Sequence, residues 1–537
     1  MPCEREHGMA RLGVGVRDRL RRHLVELLGP RIRGEVLTDQ RTLSRHSRDQ
    51  SMYCEEPLVV VRAEDVGDVV EVLEQGRQEG VPITARGAGS GTAGAGIGCG
   101  ILLVLSDDGE LGQILADALG ADGPTVRVGA AVLHDRLQRH LRDGGYFLPA
   151  DPSSGAMSLI GGNVATKASG PHALKHGSID RYMVSARVVL ADGTHVDTAR
   201  PETLPRCVRD GLEALRRSVL ADDESRDRLV ARDGRKIASG YNLFGLLRRE
   251  CPAQVLTQLL AGSVGTLGVV TDVTLRAEPV QEGTTTTLVR LERLSDVGQA
   301  VQHLRCLDVA AIELINRRSV AMVNAKRPKL ALPGGDAHTL LIECTGEGRL
   351  DTVRQVEALV EGNDYSLASP VVTVASPEEQ ARLWRARKAL MPVVRRWAPD
   401  QVAPSLVNDV GVPPEHLASF LSDIERLFED LGIVAAIYGH AGSGNLHLRP
   451  LVDPNRRDLA GWLKRIADAV YEIVLSYDGT ITAEHGMGRL RVPYLEREWG
   501  VALVEHMRTV KSLLDPSDML NPGTMFSERP FTEGICL

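Results

Sequence analysis

The chain lacks the cysteine and apolar patterns that mark several large classes of protein. Its eight cysteines among 537 residues are scattered and form no Cys-x-x-Cys pair, which excludes a disulfide framework and the usual ligands of iron–sulfur clusters. No run of about 18 apolar residues occurs, so the sequence predicts no membrane-spanning helix. Reduced thiols are typical of the cytoplasm, and we expect that location, with peripheral contact on the inner face of a membrane as the alternative.

An excess of positive charge is also absent. The sequence has 63 Lys and Arg against 71 Asp and Glu, a net charge of −8, and no basic stripe, which argues against nucleic acid as a partner. The Arg-rich N-terminus lacks the apolar core of a secretory signal. Residues 12–28 predict an amphipathic helix that packs on the protein, and a membrane-surface anchor is the less favoured alternative. The length predicts two or more domains.

Histidine and glutamate are concentrated in two C-terminal segments. His440 and His447 flank a Gly-rich turn between two strand-like runs, 433–438 and 446–450, so a hairpin would bring the imidazoles together. Glu484 and His485 follow about one strand and helix later. Three nitrogen or oxygen ligands and a spare imidazole suit a catalytic divalent metal. The alternative is a pair of histidines hydrogen-bonded at strand ends.

The first glycine-rich loop follows a predicted β-α-β unit with strands at 57–61 and 81–85 and a helix at 64–78. Residues 89–94 match Gly-x-Gly-x-x-Gly, but no helix opens there, and the next element is a strand at 101–105, so we reject a Rossmann site. Successive glycine N–H groups can still form an anion nest beside Arg86. The alternative is that these glycines serve only tight turning.

Two further Gly/Ser/Thr-rich regions predict that the loops share one long ligand. Residues 149–166 and 261–271 carry these segments, and a dinucleotide such as FAD has the required length. From about residue 279, strand-like runs (285–291, 340–344, 371–375, 433–438) alternate with helical stretches (294–307, 351–362, 377–395, 416–431, 459–477). This pattern is typical of an α+β domain with an antiparallel sheet.

Six ordered blocks resemble one flavoprotein family. They are residues 82–91, 160–166, 262–268, 439–447, 484–486 and 520–523. The chain resembles the FAD-linked 2-hydroxyacid dehydrogenases (D-lactate dehydrogenase, glycolate oxidase D subunit, D-2-hydroxyglutarate dehydrogenase) of the vanillyl-alcohol oxidase/p-cresol methylhydroxylase superfamily. The resemblance implies an α+β fold, with a two-subdomain PCMH-type FAD-binding domain followed by an α+β cap. We therefore divide the chain into an N-terminal helical segment (1–50), the FAD-binding domain (51–279), the cap with the metal site (280–527) and a tail (528–537).

The resemblance also implies roles for individual residues. His440, His447 and Glu484 would hold a divalent metal, zinc being expected, while His485 acts as base and Arg387 binds the substrate carboxylate. The alternative for Arg387 is an exposed helix charge, and Asn445 is assigned to the turn. FAD is expected to be non-covalent, because relatives with a histidyl attachment have His where this loop has Ser90. The predicted FAD contacts are Arg86, Gly87, Ala88, Gly89, Ser90, Gly91, Thr92, Pro149, Asp151, Ser154, Gly161, Gly162, Asn163, Thr166, Val264, Gly265, Val270 and Asn521.

The implied reaction is oxidation of a small D-2-hydroxy acid to the 2-keto acid, by metal-assisted proton abstraction and hydride transfer to flavin N5. Two positions depart from the family pattern: Val264 replaces Glu, and Met487 replaces Asp. The cysteine-rich domain of long relatives is missing after residue 523, so electrons are expected to pass to a non-oxygen acceptor such as a protein, cytochrome or quinone. The sequence leaves open whether the chain forms a homodimer. The alternatives are a redox-neutral flavoenzyme, like the alkylglycerone-phosphate synthases, and an FAD-binding subunit of a larger electron-transfer complex.

Overall fold

The first sheet contains the β-α-β unit predicted from the sequence. The computed structural model describes residues 13–120, 123–333 and 335–537, so residues 1–12, which include the first residue of the helix predicted over 12–28, lie outside the described part. The strands are β1 (Glu35–Leu37), β2 (Val59–Ala63), β3 (Ile83–Arg86) and β4 (Ile101–Leu105), in the order β1-β2-β4-β3. Strands β2, β4 and β3 are parallel, and β1 is antiparallel to β2. The helices are α1 (Val14–Leu28), α2 (Gln40–His46) and α3 (Val66–Glu79).

Helix α3 lies within two residues of the range 64–78 that the sequence predicts. The Asp65 side chain accepts a hydrogen bond from the backbone N–H of Asp68, and Gly80 ends the helix in the left-handed conformation at φ 66°. The described residues 87–100 between β3 and β4 contain no helix. The rejection of a Rossmann fingerprint is therefore confirmed, because no helix N-terminus faces this glycine loop.

The second sheet follows directly and has five strands. They are β5 (Ile114–Gly120), β6 (Gly123–Gly129), β8 (Met183–Val189), β9 (His195–Asp197) and β10 (Val269–Arg276), in the order β5-β6-β10-β8-β9. Strands β7 (Tyr146–Phe147) and β11 (Glu278–Pro279) form a separate pair. The helices here are α4 (His134–Asp143), α5 (Ile160–Thr166), α6 (Ala173–His176), α7 (Arg206–Ala221), α8 (Asp223–Arg232), α9 (Phe244–Arg248) and α10 (Pro252–Leu260).

The third sheet is the antiparallel sheet predicted for the second half. Its seven strands are β12 (Thr284–Leu291), β13 (Ala311–Ile315), β14 (His338–Thr345), β15 (Val372–Val374), β16 (Val407–Gly411), β17 (Ala435–His440) and β18 (Asn445–Pro450), in the order β15-β12-β14-β13-β17-β18-β16. The helices are α11 (Leu294–Leu304), α12 (Arg317–Lys326), α13 (Arg349–Gly362), α14 (Pro377–Lys388), α15 (Leu390–Val394), α16 (Leu417–Asp430), α17 (Leu459–Ser476) and α18 (Leu495–Leu514). The domain boundaries proposed from the sequence stay a prediction.

One helix prediction is wrong. A single helix over residues 377–395 is replaced by α14 and α15, which are separated at Ala389. Pro392 lies in α15 and has no backbone N–H to donate to the preceding turn, so a continuous helix would lose a hydrogen bond there. No helix in the described residues combines the length and apolar character needed to cross a bilayer.

A buried ion pair ties the end of α8 to the C-terminal half of the chain. Arg232 is 3% exposed and contacts Glu498 on α18 at 3.1 Å and Asp478 at 2.8 Å. Glu498 also accepts hydrogen bonds from the Ile481 backbone N–H and the Ser239 hydroxyl. This interaction fixes the segment that leads into Glu484.

Replacing Arg232 should destabilise the protein far more than replacing its neighbour. Arg232→Met leaves the Glu498 carboxylate buried without its cation, which costs about 3–5 kcal/mol of unfolding free energy. Arg235→Met breaks only a partly exposed pair with Asp478 and should cost less than about 1 kcal/mol. Guanidinium unfolding midpoints of the two variants measure the difference, and equal midpoints would contradict this role.

Candidate active site

A cavity of about 420 Å³ lies between the glycine loops of the first half and the β17–β18 hairpin. Most residues predicted for the site line it. They are Arg86, Gly87, Ala88, Gly89, Ser90, Gly91, Thr92, Ser154, Gly161, Gly162, Asn163, Thr166, Val264, Gly265, Val270, Arg387, His447, Glu484 and His485. One continuous cavity therefore reaches both the loops and the imidazole cluster.

Four predicted residues lie off the cavity wall. His440 is buried behind it, and Pro149 is buried in the loop that precedes Asp151. The Asp151 carboxylate accepts from His172 Nδ1 at 2.6 Å, while His172 Nε2 lies 2.8 Å from Glu343 on β14. Asp151 thus belongs to a bridge between the two halves of the chain.

Asn521 joins separate loops rather than facing the cavity. Its amide nitrogen donates to the carbonyls of Ala95 at 2.8 Å and Val264 at 2.7 Å. The Thr84 hydroxyl lies 3.3 Å from its amide oxygen. A direct contact of Asn521 with FAD stays a prediction, and its present bonds shape the cavity through its neighbours.

Glycines leave room along the cavity wall. Apart from atoms of the adjacent residues and of the helix backbone, no atom lies within 4 Å of a Cβ added to Gly91 or Gly162, so a side chain at either position would project into the open volume. Gly265 has φ 72°, a left-handed conformation that disfavours other residues. This cradle is suited to a ligand whose phosphates approach the backbone closely.

The two departures from the family pattern have different structural settings. Val264 has φ 46°, which is strained for a β-branched residue, and its N–H donates to the Ala165 carbonyl at 2.9 Å. Met487 is fully buried in the apolar core. Neither substitution interrupts the cavity wall.

The Arg86 guanidinium braces the first glycine loop. It donates to the backbone carbonyls of Gly96 at 2.7 Å, Arg48 at 2.8 Å and His46 at 3.3 Å. With the guanidinium held in this position, residue 89 has to be glycine, because a Cβ there would lie 2.1 Å from Arg86 Nη2. The phosphate contact expected for Arg86 stays a prediction.

Three imidazoles surround one carboxylate oxygen at the opposite end of the cavity. Glu484 Oε1 lies 3.3 Å from His440 Nε2, 3.5 Å from His447 Nε2 and 3.7 Å from His485 Nε2. Strands β17 and β18 bring the first two histidines together, with ring centroids 5.2 Å apart. The structure thus joins all four residues that the sequence singled out.

The inner nitrogens of the two hairpin histidines are occupied by protein groups. His440 Nδ1 bonds to Glu313 on β13, and His447 Nδ1 donates to the Asn408 carbonyl at 2.8 Å. Both Nε2 atoms therefore face Glu484. This is the arrangement found around metal-binding histidines, where a carboxylate or carbonyl orients the ring.

Burial and neighbouring charges set the protonation of this cluster. Burial alone would raise the pKa of Glu484, but Lys236 and His440 hold that pKa well below its usual value. Burial lowers the pKa of His447 to about 3. Burial also lowers the pKa of His485, although Asp409 and Glu484 oppose that shift. Glu313 and Glu484, in contrast, raise the pKa of His440 above its usual value, although burial opposes that shift. At neutral pH the site therefore offers an ionised carboxylate and two neutral imidazoles, those of His447 and His485.

His447, Glu484, His485 and Asp409 each offer a ligand atom within 4.8 Å of the others, a group that does not include His440. Asp409 is therefore a further candidate for a metal ligand. Its Oδ2 atom, however, accepts the backbone N–H groups of Ala483 at 3.1 Å, Glu484 at 3.0 Å and His485 at 2.8 Å, and also the Thr482 hydroxyl. Its Oδ1 atom accepts from Asn445 Nδ2 at 2.9 Å. Since both oxygens are engaged, Asp409 orients the segment rather than binding a metal.

The structure corrects two side-chain interpretations. Asn445 begins β18 and bonds to Asp409, whereas the left-handed turn residue is Gly444 at φ 71°. Arg387 is 8% exposed, so the exposed-charge alternative is wrong. Its Nε donates to Glu313 at 2.7 Å, and its guanidinium lies 4.8 Å from the Tyr438 ring centroid at the cavity wall.

Sequence reasoning missed two cations at this site. Lys236 Nζ donates to Glu484 Oε2 at 2.7 Å and leaves Oε1 facing the imidazoles. Arg449, on β18 two residues after His447, lines the cavity while 4% exposed, and its Nε has no hydrogen-bond partner among the described residues. The alternation of β18 could have revealed Arg449, because it lies on the same strand face as His447.

Comparisons with known proteins agree with this geometry. Residues 57–199 match an FAD binding domain, and residues 280–525 match the C-terminal domain of FAD linked oxidases. The chain belongs to the FAD-linked oxidases. Its fold is that of the p-cresol-methylhydroxylase-type flavoproteins, with an α+β cap that contains the antiparallel sheet.

Similar curated proteins differ in length and name. The chain is 29% identical to the mitochondrial D-lactate dehydrogenase [cytochrome] of Arabidopsis thaliana over 72% of this chain and 60% of that protein. It is 27% identical to glycolate oxidase subunit GlcD of Bacillus subtilis over 89% and 90%. It is 26% identical to a D-2-hydroxyglutarate dehydrogenase of Pseudomonas putida over 94% of this chain but 51% of that protein.

Solved structures establish the fold alone. A 4-ethylphenol oxidase from Gulosibacter chungangensis superposes with a TM-score of 0.65 at 15% identity, over 97% of this chain and 99% of that one. An alkyldihydroxyacetonephosphate synthase has a TM-score of 0.61 at 16% identity, over 94% and 84%. At such identities the reaction does not follow from the fold.

A side chain introduced at Gly162 should expel the flavin. Gly162→Val fills part of the cavity beside the glycine loops. The purified variant should therefore lose most of its visible flavin absorbance, while its far-ultraviolet circular dichroism spectrum, which reports folding, stays like that of the wild type. Gly362→Val is the matched control, because Gly362 also lies in a helix and has open space at its Cβ, but is off the cavity. Equal flavin content in the two variants would contradict the predicted contact.

Proposed function

We propose that the chain is an FAD-dependent dehydrogenase that oxidises a small D-2-hydroxy acid to the 2-keto acid. The observation that carries this proposal is the convergence of three imidazoles on Glu484 at the wall of the cavity that the glycine loops form. Such a cluster can bind a cation and also leave one imidazole to accept a proton. The names of the similar proteins agree with this substrate class.

FAD would occupy the glycine-lined part of the cavity without a covalent bond. The loop carries Ser90 where a histidyl attachment needs an imidazole, and the histidines lining the cavity are the cluster residues His447 and His485. The open Cβ positions of Gly91 and Gly162 support close approach of the cofactor to the backbone. When bound, FAD supplies a two-electron acceptor for the hydride that leaves the substrate carbon.

His440, His447 and Glu484 would hold a divalent metal, for which zinc is the expected ion. The residues fit such an ion, because their nitrogen and oxygen atoms face one another, are buried and are oriented by Glu313 and the Asn408 carbonyl. A metal there supplies positive charge that acidifies the substrate hydroxyl group. Lys236 keeps Glu484 ionised and thus available as a ligand.

The remaining groups supply proton transfer and orientation. His485 Nε2 accepts the hydroxyl proton, since the lowered pKa keeps this imidazole neutral at neutral pH. Arg387 binds the substrate carboxylate from the cap side of the cavity, with Glu313 and the Tyr438 ring fixing its guanidinium. Arg449 offers a second buried guanidinium in the same part of the cavity. These guanidinium groups would hold the substrate by its carboxylate, so that its hydroxyl group faces the imidazole cluster and the carbon bearing that group faces the flavin.

Electrons would then pass to an acceptor other than oxygen, such as a protein, a cytochrome or a quinone. The chain spans 60% of the plant D-lactate dehydrogenase and 51% of the bacterial D-2-hydroxyglutarate dehydrogenase. A second candidate is a catalytic FAD-binding subunit of a larger complex. It is supported by the match to glycolate oxidase subunit GlcD over 90% of that protein.

Anaerobic flavin bleaching tests the proposed reaction. We expect at least one of D-lactate, glycolate and D-2-hydroxyglutarate to reduce the flavin, with the matching 2-keto acid as product. His485→Gln should bind flavin normally and be reduced about 10²–10⁴-fold more slowly, because the base is lost. Lys464→Gln, a change on the exposed surface, serves as control. If dithionite bleaches the wild-type flavin but no 2-hydroxy acid does, the proposal is wrong.

Metal removal tests the cation site separately. After chelation the flavin spectrum should persist, while substrate reduction should slow by about 100-fold or more, since the hydroxyl group is no longer acidified. Added Zn²⁺ should restore the rate in the wild type but not in Glu484→Gln, which lacks a ligand charge. A normal rate in protein that metal analysis proves to be stripped would exclude the metal role.

A further inference from the structure

A second cavity lies behind the imidazole cluster and is separate from the flavin cavity. Its volume is about 380 Å³, within the range of metabolite sites. Helix α6 and the 233–237 loop provide one wall, and the 411–415 and 478–480 segments provide the other. The cavity therefore lies between the two halves of the chain.

Positive charge predominates on the walls of this second cavity. Six cationic side chains line it, against four carboxylates; the cations are Lys167, Arg181, Arg235, Lys236, Arg248 and Arg305, and the carboxylates are Asp180, Asp233, Glu415 and Asp478. Three of the carboxylates are neutralised locally. Lys167 lies 3.5 Å from Asp180, Arg235 lies 2.7 Å from Asp478, and Arg248 pairs with Asp233.

Two guanidinium groups at the rim have no internal partner. Arg181 and Arg305 come from opposite halves of the chain, and within the described ranges neither side chain forms an ion pair or a hydrogen bond. Both are exposed, so their donors are free to bind a ligand at the cavity mouth. Guanidinium groups bind phosphate and carboxylate oxygens through paired N–H donors.

Lys236 forms the partition between the two cavities. Its side chain lines the second cavity, while its ammonium contacts Glu484 Oε2 at 2.7 Å and Asn445 Oδ1 at 2.9 Å. Glu484 in turn lines the flavin cavity. An anion in the second cavity would therefore lie on the far side of a single ion pair from the imidazole cluster.

We propose that the second cavity binds a small dianion, of the phosphate or the dicarboxylate type, between Arg181, Arg305 and Lys236. A bound anion would offset the positive field that Lys236 exerts on Glu484. Glu484 and the imidazole cluster would then bind a cation more tightly. By reciprocity, a bound cation would tighten binding of the anion in the second cavity. This link rests on the proposed metal site, whereas the anion site itself does not.

Calorimetric titration of the flavin-loaded full chain tests the anion site. Sulfate serves as the tetrahedral probe and succinate as the dicarboxylate probe, so the titration that saturates identifies the class. We expect saturable binding of one anion per chain, weakened about tenfold by Arg181→Ala and by Arg305→Ala, because each loses a charged donor pair. Arg139→Ala, an exposed arginine that lines neither cavity, should bind like the wild type.

Three results would overturn the anion site. The first is the absence of saturable binding heat with both probes, and the second is an unchanged anion affinity in the Arg181 and Arg305 variants. The third is loss of anion binding in Arg449→Met, which would place the anion in the flavin cavity. Unfolding midpoints check that the variants are folded.

A cobalt titration of chelated protein tests the link through Lys236. Co²⁺ should bind several-fold more tightly when sulfate or succinate saturates the second cavity, and Arg305→Ala should reduce this gain. An unchanged cobalt affinity would overturn the link. Failure to bind cobalt under any condition would instead count against the proposed metal site, because the anion titration is read without added metal.

Discussion

The Asp409 carboxylate receives three consecutive backbone N–H groups and the Thr482 hydroxyl on one oxygen, and the Asn445 amide on the other. These bonds join β16, the start of β18 and the 482–485 segment around one fully buried charge. A buried carboxylate is stable only when its acceptor positions are filled, so the segment has little freedom to move. The positions of Glu484 and His485 depend on this constraint.

Charge compensation then determines what the cluster can bind. Glu484 has Lys236 on one oxygen and imidazoles on the other, while Glu313 joins His440 to Arg387. Burial would raise the pKa of Glu313, but His440 and Arg387 lower it to about 2. The carboxylate therefore stays ionised and connects the predicted metal ligand to the predicted substrate arginine. Changing one of these charges would alter the protonation and position of the others.

Local sequence patterns predicted part of this site and could not predict the rest. The helix-free glycine loop and the hairpin carrying His440 and His447 follow from turn residues and alternation within a few positions. Glu313 and Asp409 are single acids inside apolar strands, and their spacing gives no signal. Glu313 meets His440 only because β13 pairs with β17, a neighbour relation that the order of the seven-stranded sheet decides. Lys236 comes from a loop more than 200 residues away in sequence from its partners.

The path of the last residues has a consequence for biosynthesis. Leu520 forms a bridge to Ile83 at the start of β3, and Asn521 bonds to the loops that contain residues 95 and 264. The glycine loops are made early in translation, but these bonds form only after residue 521 has left the ribosome. The loops at residues 95 and 264 are therefore held together by Asn521 only once synthesis is nearly complete.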